Sequence, residues 1–147
     1  MKNFFCLFVV LFSLSTFAYA GSSQGIQASS SWSNQRGSTL YIDSIGSDGL
    51  VTGTYINRAA GYQCQNIPYP VTGWVYGTAI TFTTIWQSAT ESCNSITSWT
   101  GFFYQGQIHT LWQLVENNAS STGQILQGSD TFSPNVMKEN RSLIHKK

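Results

Sequence analysis

A chain of 147 residues has room for one hydrophobic core and not for two substantial ones. Its seven basic and six acidic residues nearly cancel and cluster only at the terminal Lys146 and Lys147, which excludes the cationic groove that nucleic-acid binding needs. With 9% charged and 14% aromatic residues and abundant Gly, Ser and Thr, the composition disfavours helices and favours strands.

At the start of the chain, Met1 and Lys2 lead into an apolar run from Phe4 to Phe12, and Ala18-Tyr19-Ala20 supplies a cleavage pattern before Gly21. Residues 1–20 therefore read as a secretory signal peptide. The run, interrupted by Ser13 and Ser15, is shorter than the about 20 apolar residues that span a bilayer. A secreted or periplasmic protein without membrane attachment is expected after cleavage. Loss of the signal removes Cys6 and leaves Cys64 and Cys93. In an oxidising compartment an isolated pair is more often a disulfide than a metal site, and no second C-x-x-C or nearby His completes zinc coordination. A disulfide and no metal are expected.

After a flexible segment at 21–30, short apolar or Thr-rich runs recur at 31–36, 38–45, 50–57, 70–76, 79–86, 97–104, 108–115 and 125–132. Each is bounded by a turn signal, the pattern of an all-β sandwich or barrel. Ser47-Asp48-Gly49, Gly77-Thr78 and Gln105-Gly106 read as hairpin turns because Gly and Asp tolerate the φ values tight hairpins require. Longer loops are left near 58–69, 87–96 and 116–124. Eight strands in next-neighbour order can close into an antiparallel up-and-down β-barrel and so remove exposed edges, which predicts a barrel over 31–133. Residues 134–147, opening on Pro134, read as a flexible polar tail. The glycosylation sequons at Asn118 and Asn140 carry little weight, since the pattern is common by chance.

Strand side chains alternate between faces. Ile108, Thr110, Trp112 and Leu114 therefore share one face, while His109, Leu111, Gln113 and Val115 share the other. Both faces carry apolar residues, which suggests an outer wall partly covered by a second subunit. Thr84 shares a face with Trp86, and Thr97 with Trp99, Gly101 and Phe103. One indole is ordinary core filler, but three in a small core, each with an N–H seeking a partner, suggest an apolar pocket at a barrel mouth.

Catalysis finds few candidates. By parity His109 faces away from Trp112, His145 lies in the tail, and nothing else supports Glu91 and Asp130 as a glycosidase pair. A binding protein without catalysis is expected. The alternatives are a lipocalin-like carrier, which calls for an aliphatic lumen and a helix after the strands, and a structural or adhesive exported domain.

In order along the chain stand Trp32-Ser-Asn34-Gln-Arg-Gly-Ser38-Thr, Asp48-Gly-Leu-Val-Thr-Gly-Thr-Tyr55, Trp86, Ser95-Ile-Thr97-Ser-Trp99-Thr-Gly, Trp112-Gln-Leu114 and Gly128-Ser-Asp130-Thr-Phe132. This set resembles the avidin and streptavidin family in order and spacing, over nearly the whole mature chain. The resemblance implies an eight-stranded barrel that binds biotin, with no cofactor beyond that ligand. It makes Asn34, Ser38 and Tyr55 donors to the ureido oxygen, Asp130 and Asn57 acceptors of the ureido N–H groups, and Thr97 the hydroxyl near the thiophane sulfur. Ser95 becomes a donor to the ligand carboxylate, with backbone amides of 59–61 near it, and Trp86, Trp99 and Trp112 enclose the ring and the start of the tail. Tetrameric members supply a tryptophan before the Gly-x-Asp-Thr-Phe end, and Ser120 to Gln127 contains none. The surroundings of Cys64 and Cys93 resemble instead the rhizavidin-like dimeric bacterial avidins, which implies a homodimer and a preformed lid held by a Cys64–Cys93 disulfide.

Overall fold

The computed structural model describes residues 25–118 and 120–135. The expected signal peptide, most of the tail, Asn140 and His145 lie outside the described residues. Eight antiparallel strands follow one another: β1 (Ser30–Asn34), β2 (Thr39–Ile45), β3 (Leu50–Ile56), β4 (Pro68–Tyr76), β5 (Ala79–Trp86), β6 (Ser95–Tyr104), β7 (Gln107–Glu116) and β8 (Ile125–Pro134). Each pairs with its neighbours in sequence, and β8 pairs with β1 to close the barrel. Among the described residues there is no helix.

Alternation builds the wall. Along β5, Ile80, Phe82, Thr84 and Trp86 are buried while the residues between them face outward or are half-buried. Leu40, Ile42, Val51, Val71, Phe82, Ile108 and Phe132 are almost completely excluded from solvent and fill the end of the barrel nearer the three tight hairpins. At its centre the Phe82 ring lies parallel to Trp99 at 4.8 Å and meets Phe132 edge-on at 6.1 Å. The hairpins are those the sequence predicts: Gln105 and Gly106 both take positive φ, 49° and 81°, the pair of values a two-residue turn between right-twisted strands demands.

Strand ends differ from the sequence reading for identifiable reasons. β4 begins at Pro68 rather than 70, although Pro68 and Pro70 cannot donate to a ladder. Both pair with β3, and pairing with β5 starts only at Val71, so their missing N–H groups face no strand. At the seam Pro134 pairs with Trp32, and the backbone N–H of Asn135 donates to the Ser31 carbonyl at 2.8 Å. The wall thus extends past 133. At the other terminus Ser30 is already paired with Ile42 and Ile26 is buried in the core, so packing starts ahead of residue 31.

The outer face of β5–β8 carries Leu111 and Val115, which strand parity set opposite Trp112, together with apolar residues of the neighbouring strands. Ile85, Ile96, Val115 and Ile125 are register partners in one row across the four strands, and each is 42–54% exposed. Leu111 on the same wall is 71% exposed. No Asp, Glu, Lys or Arg occupies an outward position on these strands between Ala79 and Ser133. His109 lies on this wall beside Phe102, away from Trp112.

Because Phe82 contacts both rings at the centre of the core, Phe82→Ala is expected to lower the unfolding free energy by about 3–5 kcal/mol in equilibrium denaturant unfolding.

Candidate functional site

In an up-and-down barrel the β1–β2, β3–β4, β5–β6 and β7–β8 connections meet at one end. Here they surround a cavity of about 360 Å³, within the size range of small-molecule sites. Asn34, Ser38, Tyr55, Asn57, Trp86, Ser95, Thr97, Trp99, Trp112 and Asp130 all line it.

One end of the cavity is polar. The side-chain oxygen of Asn34 accepts the backbone N–H groups of Arg36 and Ser38 at 3.0 and 2.9 Å, so the β1–β2 turn orients this amide. Its Nδ2 is thereby left as the inward donor, 3.3 Å from the Tyr55 hydroxyl. Ser38 Oγ accepts the Arg58 N–H at 2.9 Å and donates to Asn57 Oδ1 at 3.4 Å. Asn57 Oδ1 also receives the Ala59 N–H at 3.0 Å, and its Nδ2 donates to the Gln63 carbonyl at 3.1 Å. Burial, and next the Asp130 charge, push the Tyr55 phenol well above its usual pKa of 10.0, so Tyr55 remains a neutral O–H donor.

Asp130 is the buried charge of the site. Its two oxygens accept Trp99 Nε1 at 3.0 Å and Gln35 Nε2 at 3.1 Å. A carboxylate offers about four lone-pair sites, so capacity for a ligand N–H is left. Trp86 Nε1 donates to Thr97 Oγ1 at 2.8 Å, which satisfies the indole and leaves the threonine proton free to serve the cavity. Tyr55 stacks on Trp99 at 4.8 Å and meets Trp86 edge-on at 5.7 Å, so the polar end and the indole walls brace each other. Trp112 lies over Gly128, where an added Cβ would collide with the indole; only glycine permits this approach.

The sequence profile of the Avidin family matches residues 22–135. This chain belongs to the avidin family. Afifavidin of Afifella pfennigii is 48% identical over 108 residues, covering 71% of this chain and 67% of afifavidin. The crystal structure of apo shwanavidin aligns at 63% identity with a TM-score of 0.71, over 76% of this chain and 98% of that one. A rhizavidin–biotin complex aligns at 48% identity with a TM-score of 0.68, over 80% and 99% respectively.

The avidin barrel has a covalently tied mouth. Cys64 and Cys93 form a disulfide that links the loop after β3 to the loop after β5. Cys64 is buried, Cys93 lines the cavity, and the Glu91 carboxylate accepts the Cys64 N–H. The disulfide removes the thiolates a metal would need, and Glu91 does not line the cavity with Asp130. Ser95 Oγ donates to the Cys93 carbonyl at 2.8 Å, and the Ala59 N–H is held by Asn57, so both are engaged within the protein.

Several residues that line or support the cavity escaped the sequence reading. Gln35 spans the seam: Nε2 reaches Asp130 and the Ser129 carbonyl, while Oε1 accepts the Thr131 N–H at 2.9 Å. Arg36, Tyr62 and Gln63 come from irregular loops, where alternation has no purchase. Glu116 was legible in principle, since it continues the face on which Trp112 and Leu114 were placed on β7. Leu126 of the same chain lines the cavity within the stretch where tetrameric relatives are expected to carry a tryptophan.

The disulfide joins residues 29 apart, a loop whose closure contributes about 3–4 kcal/mol in the chain-entropy description. The Cys64→Ser, Cys93→Ser double variant is expected to lose that stability in denaturant unfolding. Tyr55 sets a second expectation. Its phenol ionises at higher pH in the folded than in the unfolded chain, so its stabilising contribution is complete below about pH 10 and declines as pH rises further. Unfolding midpoints followed from pH 9 upward should fall less in Tyr55→Phe than in the unaltered protein.

Proposed function

We propose that this protein captures biotin non-covalently in the barrel mouth and performs no chemistry on it. The observation that carries the reading is the convergence of Asn34 Nδ2, Tyr55 Oη and Ser38 Oγ at one end of an indole-walled cavity that also holds the buried Asp130 carboxylate. A cyclic urea presents the complement: one carbonyl oxygen for the donors and N–H groups for the acceptors. Donors on the ureido oxygen favour negative charge there, while Asp130 favours the partial positive charge left on the N–H side, so the two ends of the site reinforce each other. Turning the Ser38 proton from Asn57 Oδ1 to the ureido oxygen frees one Asn57 Oδ1 position for the second N–H, the Thr97 hydroxyl faces the ring sulfur, Ser95 stands at the tail, and Trp86, Trp99 and Trp112 enclose the ring.

The groups are oriented before the ligand arrives, which reduces the ordering cost of binding. Holding the mouth with the Cys64–Cys93 disulfide acts in the same direction. An indole-walled, polar-ended cavity suits a small heterocycle better than the aliphatic cargo of a lipocalin-like carrier. We further propose a homodimer through the charge-free β5–β8 wall, whose exposed row of Ile85, Ile96, Val115 and Ile125 gains by being covered. With its signal-peptide-like start and its disulfide, the chain fits a secreted or periplasmic location.

Calorimetric titration with biotin is expected to saturate at one ligand per chain, and light scattering to give a two-chain mass. Tyr55→Phe and Asp130→Asn should each weaken binding by about 10- to 100-fold, because the first leaves the ureido oxygen short of a donor and the second removes the charge that strengthens the N–H contact. Retention of full affinity in both variants would overturn the reading.

A further inference from the structure

β7 sends Trp112, Leu114 and Glu116 inward in succession, from the indole wall to the rim. At about 3.3 Å per residue, the Glu116 backbone stands roughly 13 Å beyond that of Trp112 along the strand, at the rim toward which a tail starting between the indoles points. Trp86, Ser95 and Glu116 line both this cavity and an outer groove bordered by Ile85, Ile96 and Val115. These three residues therefore form the sill over which a tail leaves.

Three charged side chains line the cavity: Arg36, Asp130 and Glu116. Asp130 is buried at the polar end, and Arg36, on the β1–β2 turn, is close enough for its charge to act on Tyr55 there. At the tail end Glu116 is the charge, and it is exposed. Its strand partner is Ser95, whose hydroxyl proton is committed to the Cys93 carbonyl, leaving oxygen lone pairs toward the cavity. This side of the exit thus offers acceptors and negative charge. A free carboxylate is repelled there, whereas an amide N–H in the same place finds acceptors.

We propose that Glu116 makes the site selective for the tail: it favours a biotinyl group joined through an amide to an amine over the free acid. The inference rests on the biotin reading above and adds the chemical class of the linkage. Glu116 acts on the tail carboxyl and not on the ring, so its effect is read as the ratio of two affinities rather than either one alone.

The experiment compares biotin with N-methylbiotinamide by competition for the unaltered protein and for Glu116→Gln. In the unaltered protein the amide is expected to bind more tightly than the acid, with a ratio that shrinks as salt is raised. Glu116→Gln should reduce that ratio by ~3- to 10-fold, as expected for removal of one partly screened like charge. A ratio equal in the two proteins at low ionic strength overturns this proposal and leaves the biotin reading intact. If the unaltered protein retains neither compound, the biotin reading fails and this proposal fails with it.

Discussion

Closure of the sheet between β1 and β8 is the constraint on which the site depends. Among the described residues the seam pairs Trp32 with Pro134, Ser33 with Ser133 and Asn34 with Phe132. That register brings Asn34 at the start of the barrel within two residues of the position opposite Asp130 at its end. Gln35 then bridges the strands from the turn, holding the Asp130 carboxylate with one side-chain atom and the Thr131 backbone with the other. Without closure the donor end and the acceptor would lie on opposite edges of an open sheet.

A second feature follows from how polar groups are satisfied within that closed wall. Buried groups without partners are costly, so each must be hydrogen-bonded, yet a binding site must keep capacity for its ligand. The barrel meets both demands with groups that have more than one hydrogen-bonding position. Asn34 spends its oxygen on its own turn and one amide hydrogen on the Tyr55 hydroxyl and keeps the other; Thr97 spends a lone pair on Trp86 and keeps its proton; Asp130 spends two positions on Trp99 and Gln35 and keeps others. The protein-side bonds orient the groups, and the remaining capacity faces the cavity.

The two ends of the cavity are consequently different environments. At the deep end a carboxylate is buried among indoles and amides, where electrostatic interactions are strong. At the mouth the Glu116 charge is exposed and screened, and the Cys64–Cys93 link confines the loops that frame it. Outside, the β5–β8 wall carries apolar residues that the closed barrel cannot bury, because alternation sends them away from the core.

Period-two patterning and the hairpin chemistry of Gln105-Gly106 determined from the sequence alone that this is an all-β chain of eight strands in next-neighbour order, and the even pair of cysteines pointed to a disulfide, since these are local or compositional signals. That the disulfide ties the mouth came from the family resemblance. Parity likewise grouped Thr97 with Trp99 and set His109 on the face opposite Trp112 before any contact was known, while burial in the folded barrel decided that the indole face is the inner one. Family resemblance in ordered motifs gathered the polar residues into one set. Only the tertiary structure decided which hydrogen atoms and lone pairs remain for a ligand, because those depend on partners far away in sequence, such as Gln35 with Asp130 or Trp86 with Thr97. It also decided that Pro68, Pro70 and Pro134 could enter strands: a proline's missing donor is harmless only where no neighbouring strand needs it, and strand length on the neighbour is a property of the closed sheet.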